Sequence, residues 1–202
     1  AAGAALIDVS VSVENRKSTP MDLMYLGHAN FKPVDNGELH YTAHYTPQTV
    51  RVRRSIPSHV TPRPGYVEFL AELEDDPTLH HKLSPGLAFD PEVVFEIEMT
   101  ADKDGFAHAV QQHPDGTADY VRCRPEQAPL CTRWICRTPD QDGLGIAFPS
   151  TSGVEGYTAE KAKGRAETVE GGSTWQIDMQ IGLLNKVEAA KMIELIDEVR
   201  QG

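Results

Sequence analysis

The sequence predicts an all-β protein, an antiparallel β-sandwich with a single α-helix at its C-terminus. Three observations predict it. Apolar and polar residues alternate with the two-residue period of half-buried strands in three separate stretches. Further short strand-like runs are punctuated by Pro/Gly turns, without the alternating helices that a parallel α/β sheet requires. One capped, amphipathic helical pattern closes the chain.

In chain order, Val9, Val11 and Val13 alternate with Ser10, Ser12 and Glu14. The segment from Lys32 to Pro91 is rich in Pro, His and Gly, and its longest strand-like pieces are Tyr45–Arg53 and Gly65–Leu73. An acidic run, Glu72, Glu74, Asp75 and Asp76, stops at Pro77 and reads as a solvated turn. Val93, Phe95, Ile97 and Met99 then alternate with Val94, Glu96, Glu98 and Thr100. Phe106–Gln112 and Ala118–Arg124 read as a hairpin about the turn-rich stretch His113–Thr117. Leu130–Arg137 and Gly143–Phe148 are further strands, and Trp175, Ile177, Met179 and Ile181 give the cleanest alternation of all. Asn185 suits an N-cap with Glu188 three residues on. Val187, Ala190, Ile193 (or Met192), Ile196 and Val199 recur at helical spacing, so the helix is expected to pack on the outside of a sheet. No linker divides the chain, and residues 1–202 read as one domain, a sandwich over 1–184 and a helix over 185–201.

The net charge of −11 repels phosphates and argues against nucleic acid as a partner. Arg51, Arg53 and Arg54 form the one basic cluster, with Arg51 and Arg53 on one strand face, and are expected to pair with carboxylates. No apolar stretch approaches the roughly 20 residues of a membrane span. Cys123, Cys131 and Cys136 have no metal-finger spacing, and buried reduced thiols in a cytoplasmic protein are the expectation. Ala1–Ile7 is small and apolar but lacks the basic start and apolar length of a secretion signal. The chain starts without Met and enters a strand pattern almost at once, which reads as a processed or truncated product.

The most informative stretch is Asp22–Phe31, an apolar run ending in His28, Ala29, Asn30 and Phe31. Histidine exchanges protons near neutral pH, and the neighbouring amide and ring could orient and cover a small polar ligand. His40, His44, His80 and His81 read as surface histidines in polar loops rather than metal ligands.

Met21–Phe31, Pro62–Glu68, Cys131–Trp134 and Gly143–Tyr157 together resemble segments of an uncharacterised branch of the aldose 1-epimerase (galactose mutarotase-like) superfamily. The resemblance implies part of a β-supersandwich. Members are usually roughly twice this length and this chain matches their C-terminal half, as one large β domain allows. Either the chain is the C-terminal portion of a longer one, or a second copy covers the open sheet edges. The implied chemistry is mutarotation of a small sugar, in which a general acid protonates the ring oxygen and a general base deprotonates the anomeric hydroxyl, without metal or cofactor. His28 matches the acid. The family's base is a Glu often followed by Pro, and here Phe148 (or Ala147) stands in that place, with Glu155 the nearest replacement. Asn30, Phe31, His40, Arg133 and Trp134 are expected to contact sugar, converging with His28 on a concave sheet face under the Lys32–His44 loop. The alternative is a carbohydrate-binding or structural domain that has lost the base and keeps the pocket.

Overall fold

The computed structural model describes residues 5–56 and 60–202, so the first four residues of the Ala1–Ile7 stretch lie outside the described residues. Among the described residues, eleven strands run in the order β1 (Leu6–Glu14), β2 (Met21–Leu23), β3 (Glu38–Tyr41), β4 (Val50–Val52), β5 (Val93–Ile97), β6 (Ala107–Gln112), β7 (Ala118–Cys123), β8 (Leu130–Arg137), β9 (Asp142–Ser150), β10 (Glu167–Val169) and β11 (Thr174–Leu184). They build a five-stranded sheet ordered β1-β11-β7-β6-β3, a four-stranded sheet ordered β4-β5-β8-β9 and the small pair β10-β2. Every named pairing is antiparallel, as the alternation requires.

The two large sheets enclose the main core. Leu39 and Tyr41 of β3, Ala109 of β6 and Val121 of β7 meet Phe95 and Ile97 of β5, Ile135 of β8 and Leu144 of β9, all almost fully buried. Each such large aliphatic or aromatic side chain contributes about 1.5–3 kcal/mol by leaving water. The opposite face of β5 carries Val94 and Glu96, and that of β8 carries Thr132 and Trp134, because neighbouring residues of a strand point to opposite sides.

Helices α1 (Tyr66–Asp75), α2 (Tyr157–Ala162) and α3 (Lys186–Gln201) accompany the sheets. The Gly65–Leu73 stretch, read as strand-like, is therefore helical. Tyr66, Phe69, Leu70 and Leu73 fall at helical spacing and are its buried face, against the core. Only Val50–Val52 of the Tyr45–Arg53 stretch is strand. Glu72, Glu74 and Asp75 form the exposed last turn of α1, and Asp76 caps a 3-10 turn over Pro77–His80 by accepting from the Thr78 amide at 2.9 Å.

The Asn185 capping box is present, with its side chain accepting from Val187 and Glu188 amides and Glu188 returning a bond to the Asn185 amide. The helix lies on the outer side of the five-stranded sheet, against Val110, Tyr120 and Leu184. Its buried stripe is Ala189, Met192, Ile193 and Ile196, whereas Val187 and Ala190 face water. The expected stripe agrees at Met192, Ile193 and Ile196 and differs in the first turns, where Ala189 rather than Val187 or Ala190 meets the sheet. Cys123, Cys131 and Cys136 are free and buried. Among the described residues, no helix is long and apolar enough to cross a membrane.

Candidate functional site

The free edge of β9 decides where His28 goes. Residues 25–31 lie along it, with the Phe31 amide donating to Leu144 O at 2.8 Å and the Leu144 amide returning to Phe31 O at 2.9 Å. Further along, the Gly27 amide donates to Pro149 O at 2.9 Å and the Thr151 amide to Tyr25 O at 3.0 Å. His28 is held between these anchors over the outward side of β9. Its exposed ring stacks on Phe148, with centroids 4.0 Å apart and planes 29° from parallel, and it lies 6.0 Å from Trp134.

Two glycines make room for this cluster. A Cβ on Gly145 would stand 2.0 Å from the Phe148 ring, and one on Gly143 would stand 2.7 Å from the Trp134 indole. Trp134 is opposite Gly145 across the β8–β9 ladder, so the indole lies over backbone rather than over another side chain.

Behind the cluster, the four-stranded sheet presents a polar outer face. Arg51, Glu96, Thr132 and Phe148 form one row across the four strands. Trp134 Nε1 donates to Glu92 Oε2 at 2.6 Å, Arg53 Nε pairs with Glu155 Oε1 at 2.9 Å, and Arg51 Nη1 pairs with Glu98 at 2.6 Å. Arg165 Nη1 holds both oxygens of Glu96 at 3.1 Å. The Arg51–Arg54 cluster thus meets carboxylates as its sequence suggests, Arg54 pairing with Glu74. Two adjoining cavities of about 250 and 380 Å³ share Arg53, Ser55 and Val94; Glu92 and Tyr66 line the first, and Glu96 and Glu155 the second. Trp134 and His28 are outside the lining of both; Glu92, bonded to the indole, joins the first cavity to the cluster, and its fixed donors and acceptors suit a small polyol better than an apolar ligand.

The expected site residues divide. His28 and Trp134 share the outer face, and exposed Asn30 flanks them. Phe31 bridges to Leu144 and packs partly into the core. Glu155 is bound to Arg53, beside β4, whereas His28 sits on β9, three strand spacings or about 14 Å across the sheet. His40 belongs to β3 of the other sheet, 3.9 Å from Glu38. Since β3 is itself sheet, the Lys32–His44 segment is not a lid over His28.

Arg133 is in the core. As the neighbour of Trp134 on a strand it points the other way, and it is fully buried. Its Nε donates to Ile146 O at 2.9 Å, its Nη1 to His80 Nε2 at 2.9 Å, and its guanidinium lies 4.0 Å above the Tyr41 ring. His80, expected at the surface, is fully buried and stacks on Phe95 at 4.0 Å. With Nε2 accepting from Arg133 and Nδ1 bonded to Pro77 O, the ring is neutral. His81 Nε2 meets Tyr41 Oη at 2.8 Å.

Burial, then the Arg133 charge, pushes His80 well below the usual histidine range, and burial, Arg133 and His40 push His81 down to about 3. The unfolded chain takes up these protons near pH 6.5 and the native state does not, so this stability is complete above pH 6.5 and declines as pH falls toward 3. Each histidine contributes a slope of up to about 1.4 kcal/mol per pH unit. The urea midpoint is expected to fall between pH 7 and pH 5, above the range where carboxylates titrate, and to fall less in His81→Gln. A midpoint flat over that interval would refute the assignment.

Sequence reasoning missed Glu92, Glu96 and the stacking of Phe148 on His28. The alternation of Val93, Phe95 and Ile97 with Val94 and Glu96 was the available signal for the two glutamates, since it puts Glu96 opposite the core. Nothing local reveals that residue 28 would land on residue 148.

No family model matches the chain, and no curated protein is similar to it. Among solved structures, the chain is similar to a candidate aldose 1-epimerase of Klebsiella pneumoniae subsp. pneumoniae, with TM-score 0.74 and 20% identity over 98% of this chain and 48% of that one. It is also similar to a galactose mutarotase related enzyme of Lactobacillus acidophilus, with TM-score 0.51 and 16% identity over 90% and 58% of the two chains. The Slr1438 protein of Synechocystis sp. PCC 6803 gives TM-score 0.52 and 14% identity over 89% and 51%. The chain has the galactose mutarotase-like sandwich fold and spans about half the length of these structures.

Proposed function

We propose that this chain is a carbohydrate-binding domain of galactose mutarotase-like fold that presents sugar to the outer face of its four-stranded sheet without opening the ring. The observation that carries the reading is Phe148. By the resemblance, Phe148 (or Ala147) stands where the family has a Glu often followed by Pro, and the Phe148 ring lies against His28 with centroids 4.0 Å apart. A histidine with a phenyl ring at 4.0 Å on that side has no carboxylate there to remove the anomeric proton. Glu155, held by Arg53 near the other edge, does not replace it. What remains is a recognition surface centred on the Glu92 carboxylate bonded to the Trp134 indole, with Arg53 and Glu96 lining the adjoining cavities and the exposed His28 ring flanking Trp134 at 6.0 Å.

Two measurements on the same preparation test this. Saturation-transfer NMR with a panel of neutral monosaccharides is expected to show contacts that Trp134→Ala removes. Polarimetry on freshly dissolved α-glucose and α-galactose is expected to show no acceleration over buffer. Acceleration abolished by His28→Ala would overturn the non-catalytic reading in favour of an aldose 1-epimerase-like isomerase. Absence of contact with every sugar would overturn carbohydrate binding itself.

A further inference from the structure

The outer face of the five-stranded sheet carries a second built cluster, separate from the His28 face. Phe106 lies beneath two guanidiniums, Arg122 at 4.3 Å and Arg124 at 3.8 Å from its ring centroid. Two like charges that share one ring can be no more than about 8 Å apart and gain only partly from its quadrupole. In a chain of net charge −11, neither arginine is in a salt bridge among the described residues, and both are drawn to one aromatic ring.

The loop that holds the ring is fixed from both sides. Asp102 Oδ1 accepts from the Asp104 amide at 2.9 Å and the Phe106 amide at 2.8 Å. Its Oδ2 accepts from His108 Nε2 at 2.9 Å, and His108 Nδ1 accepts from buried Tyr120 Oη at 2.8 Å. Gly105 has φ +82°, and a Cβ there would stand 2.9 Å from Arg124 Nη1, which donates to Asp104 O at 3.0 Å. The turn is thus shaped to let Arg124 approach. Arg122 has no ion-pair partner among the described residues, so its hydrogen-bonding fork is committed to nothing but the ring beneath it.

Both arginines open onto a groove of about 320 Å³ whose other side is formed by Asp8, Ser10, Asp178 and Gln180. The groove is therefore divided chemically. One side offers guanidinium donors immobilised by stacking, a geometry suited to an oxyanion. On the other side Gln180 holds Asp8 Oδ1 at 2.7 Å, and Gln176 and Gln127 hold the Asp178 oxygens at 3.1–3.2 Å, which fixes both carboxylates and leaves each further lone pairs to accept from hydroxyl groups. Asp8 and Asp178 would repel a bare anion brought close to them, but they can accept from hydroxyls carried a few bonds away from its charge.

We propose that this groove binds a small polyhydroxylated oxyanion, a sugar acid or sugar phosphate, with the carboxylate or phosphate on Arg122 and Arg124 and the hydroxyls toward Asp8 and Asp178. The site is independent of the His28 face, and its failure would leave the reading of that face untouched.

The test is an NMR titration of the 202-residue chain, following the arginine Nε–H resonances, with glucuronate, inorganic phosphate and glucose as probes. Glucuronate is expected to shift Arg122 and Arg124 saturably and glucose to leave them in place, with phosphate shifting them more weakly because it lacks the hydroxyls. Arg122→Gln is expected to weaken glucuronate binding at least roughly tenfold, the loss of one charge-assisted contact. Phe106→Leu, which keeps both charges but removes the stacking surface, is expected to weaken it as well. Equal responses to glucose and glucuronate, no response to either anion, or wild-type affinity in Arg122→Gln would each overturn the proposal. Should a variant fail to fold, the residue-resolved titration of the wild-type chain decides alone.

Discussion

Arg133→Ala is expected to destabilise the fold by about 3–5 kcal/mol, and Arg133→Met by less than half of that. Truncation to alanine empties a fully buried volume between the two sheets and leaves both His80 Nε2 and Ile146 O without their donor. The Ile146 carbonyl depends on this side chain because the β8–β9 register shifts between Thr132 and Trp134, and Arg133 Nε fills the gap in the ladder. Methionine restores most of the volume. It also removes a buried cation whose named contacts are a carbonyl, an imidazole and a phenol ring, with no carboxylate in the set, and whose Nη2 has no partner. Urea unfolding of the three proteins gives the order directly. A second signature separates charge from packing: because the Arg133 charge helps hold His81 neutral, Arg133→Met should flatten the decline in stability between pH 7 and pH 5. Equal losses for alanine and methionine, with an unchanged pH profile, would show that only volume matters at this position.

Gly145→Ala is expected to cost about 3 kcal/mol, the upper part of the range for overpacking. The added carbon would stand 2.0–2.5 Å from three atoms of the Phe148 ring, which is itself almost fully buried with His28 stacked on it. The ring must leave its place, so the His28 resonances should lose their ring-current shift in the same variant. Gly27→Ala is the control. Its Cβ would meet the flexible end of Met179 at 2.7 Å, which can turn aside at smaller cost. If the clash is the mechanism, Gly145→Ala combined with Phe148→Leu should be far less destabilising than the sum of the single losses. Additive losses would mean that Gly145 acts through its backbone and not through the ring above it.

Much of the fold was legible along the chain because its signals are local. The valines of β1, the alternation in β11, the hairpin about His113–Thr117 and the Asn185 cap each depend on residues within one element. Where expectation and structure part, a local pattern admitted two solutions. Tyr66, Phe69, Leu70 and Leu73 sit in an apolar stretch short enough to read as strand, and packing of the helical stripe into the core settled it. In α3 the stripe was right at Met192, Ile193 and Ile196 and wrong in its first turns, since the sheet surface is met there by Ala189 and not by Val187 or Ala190.

The sequence by itself determined the sandwich, the closing helix, the buried thiols and the pairing of the Arg51–Arg54 cluster with acids. Through the resemblance it also implied that His28 and Phe148 (or Ala147) stand where a mutarotase-like site would hold its acid and base. Only the tertiary structure decided which residues share a surface. It put Trp134 outside and Arg133 inside, although they are adjacent, because a strand alternates its sides. It brought residue 28 onto residue 148 by docking the 25–31 segment on a free strand edge, and it kept Glu155 three strands away. Chemistry at a site depends on separations of a few ångströms between residues far apart in sequence, and those separations are set by sheet order and register.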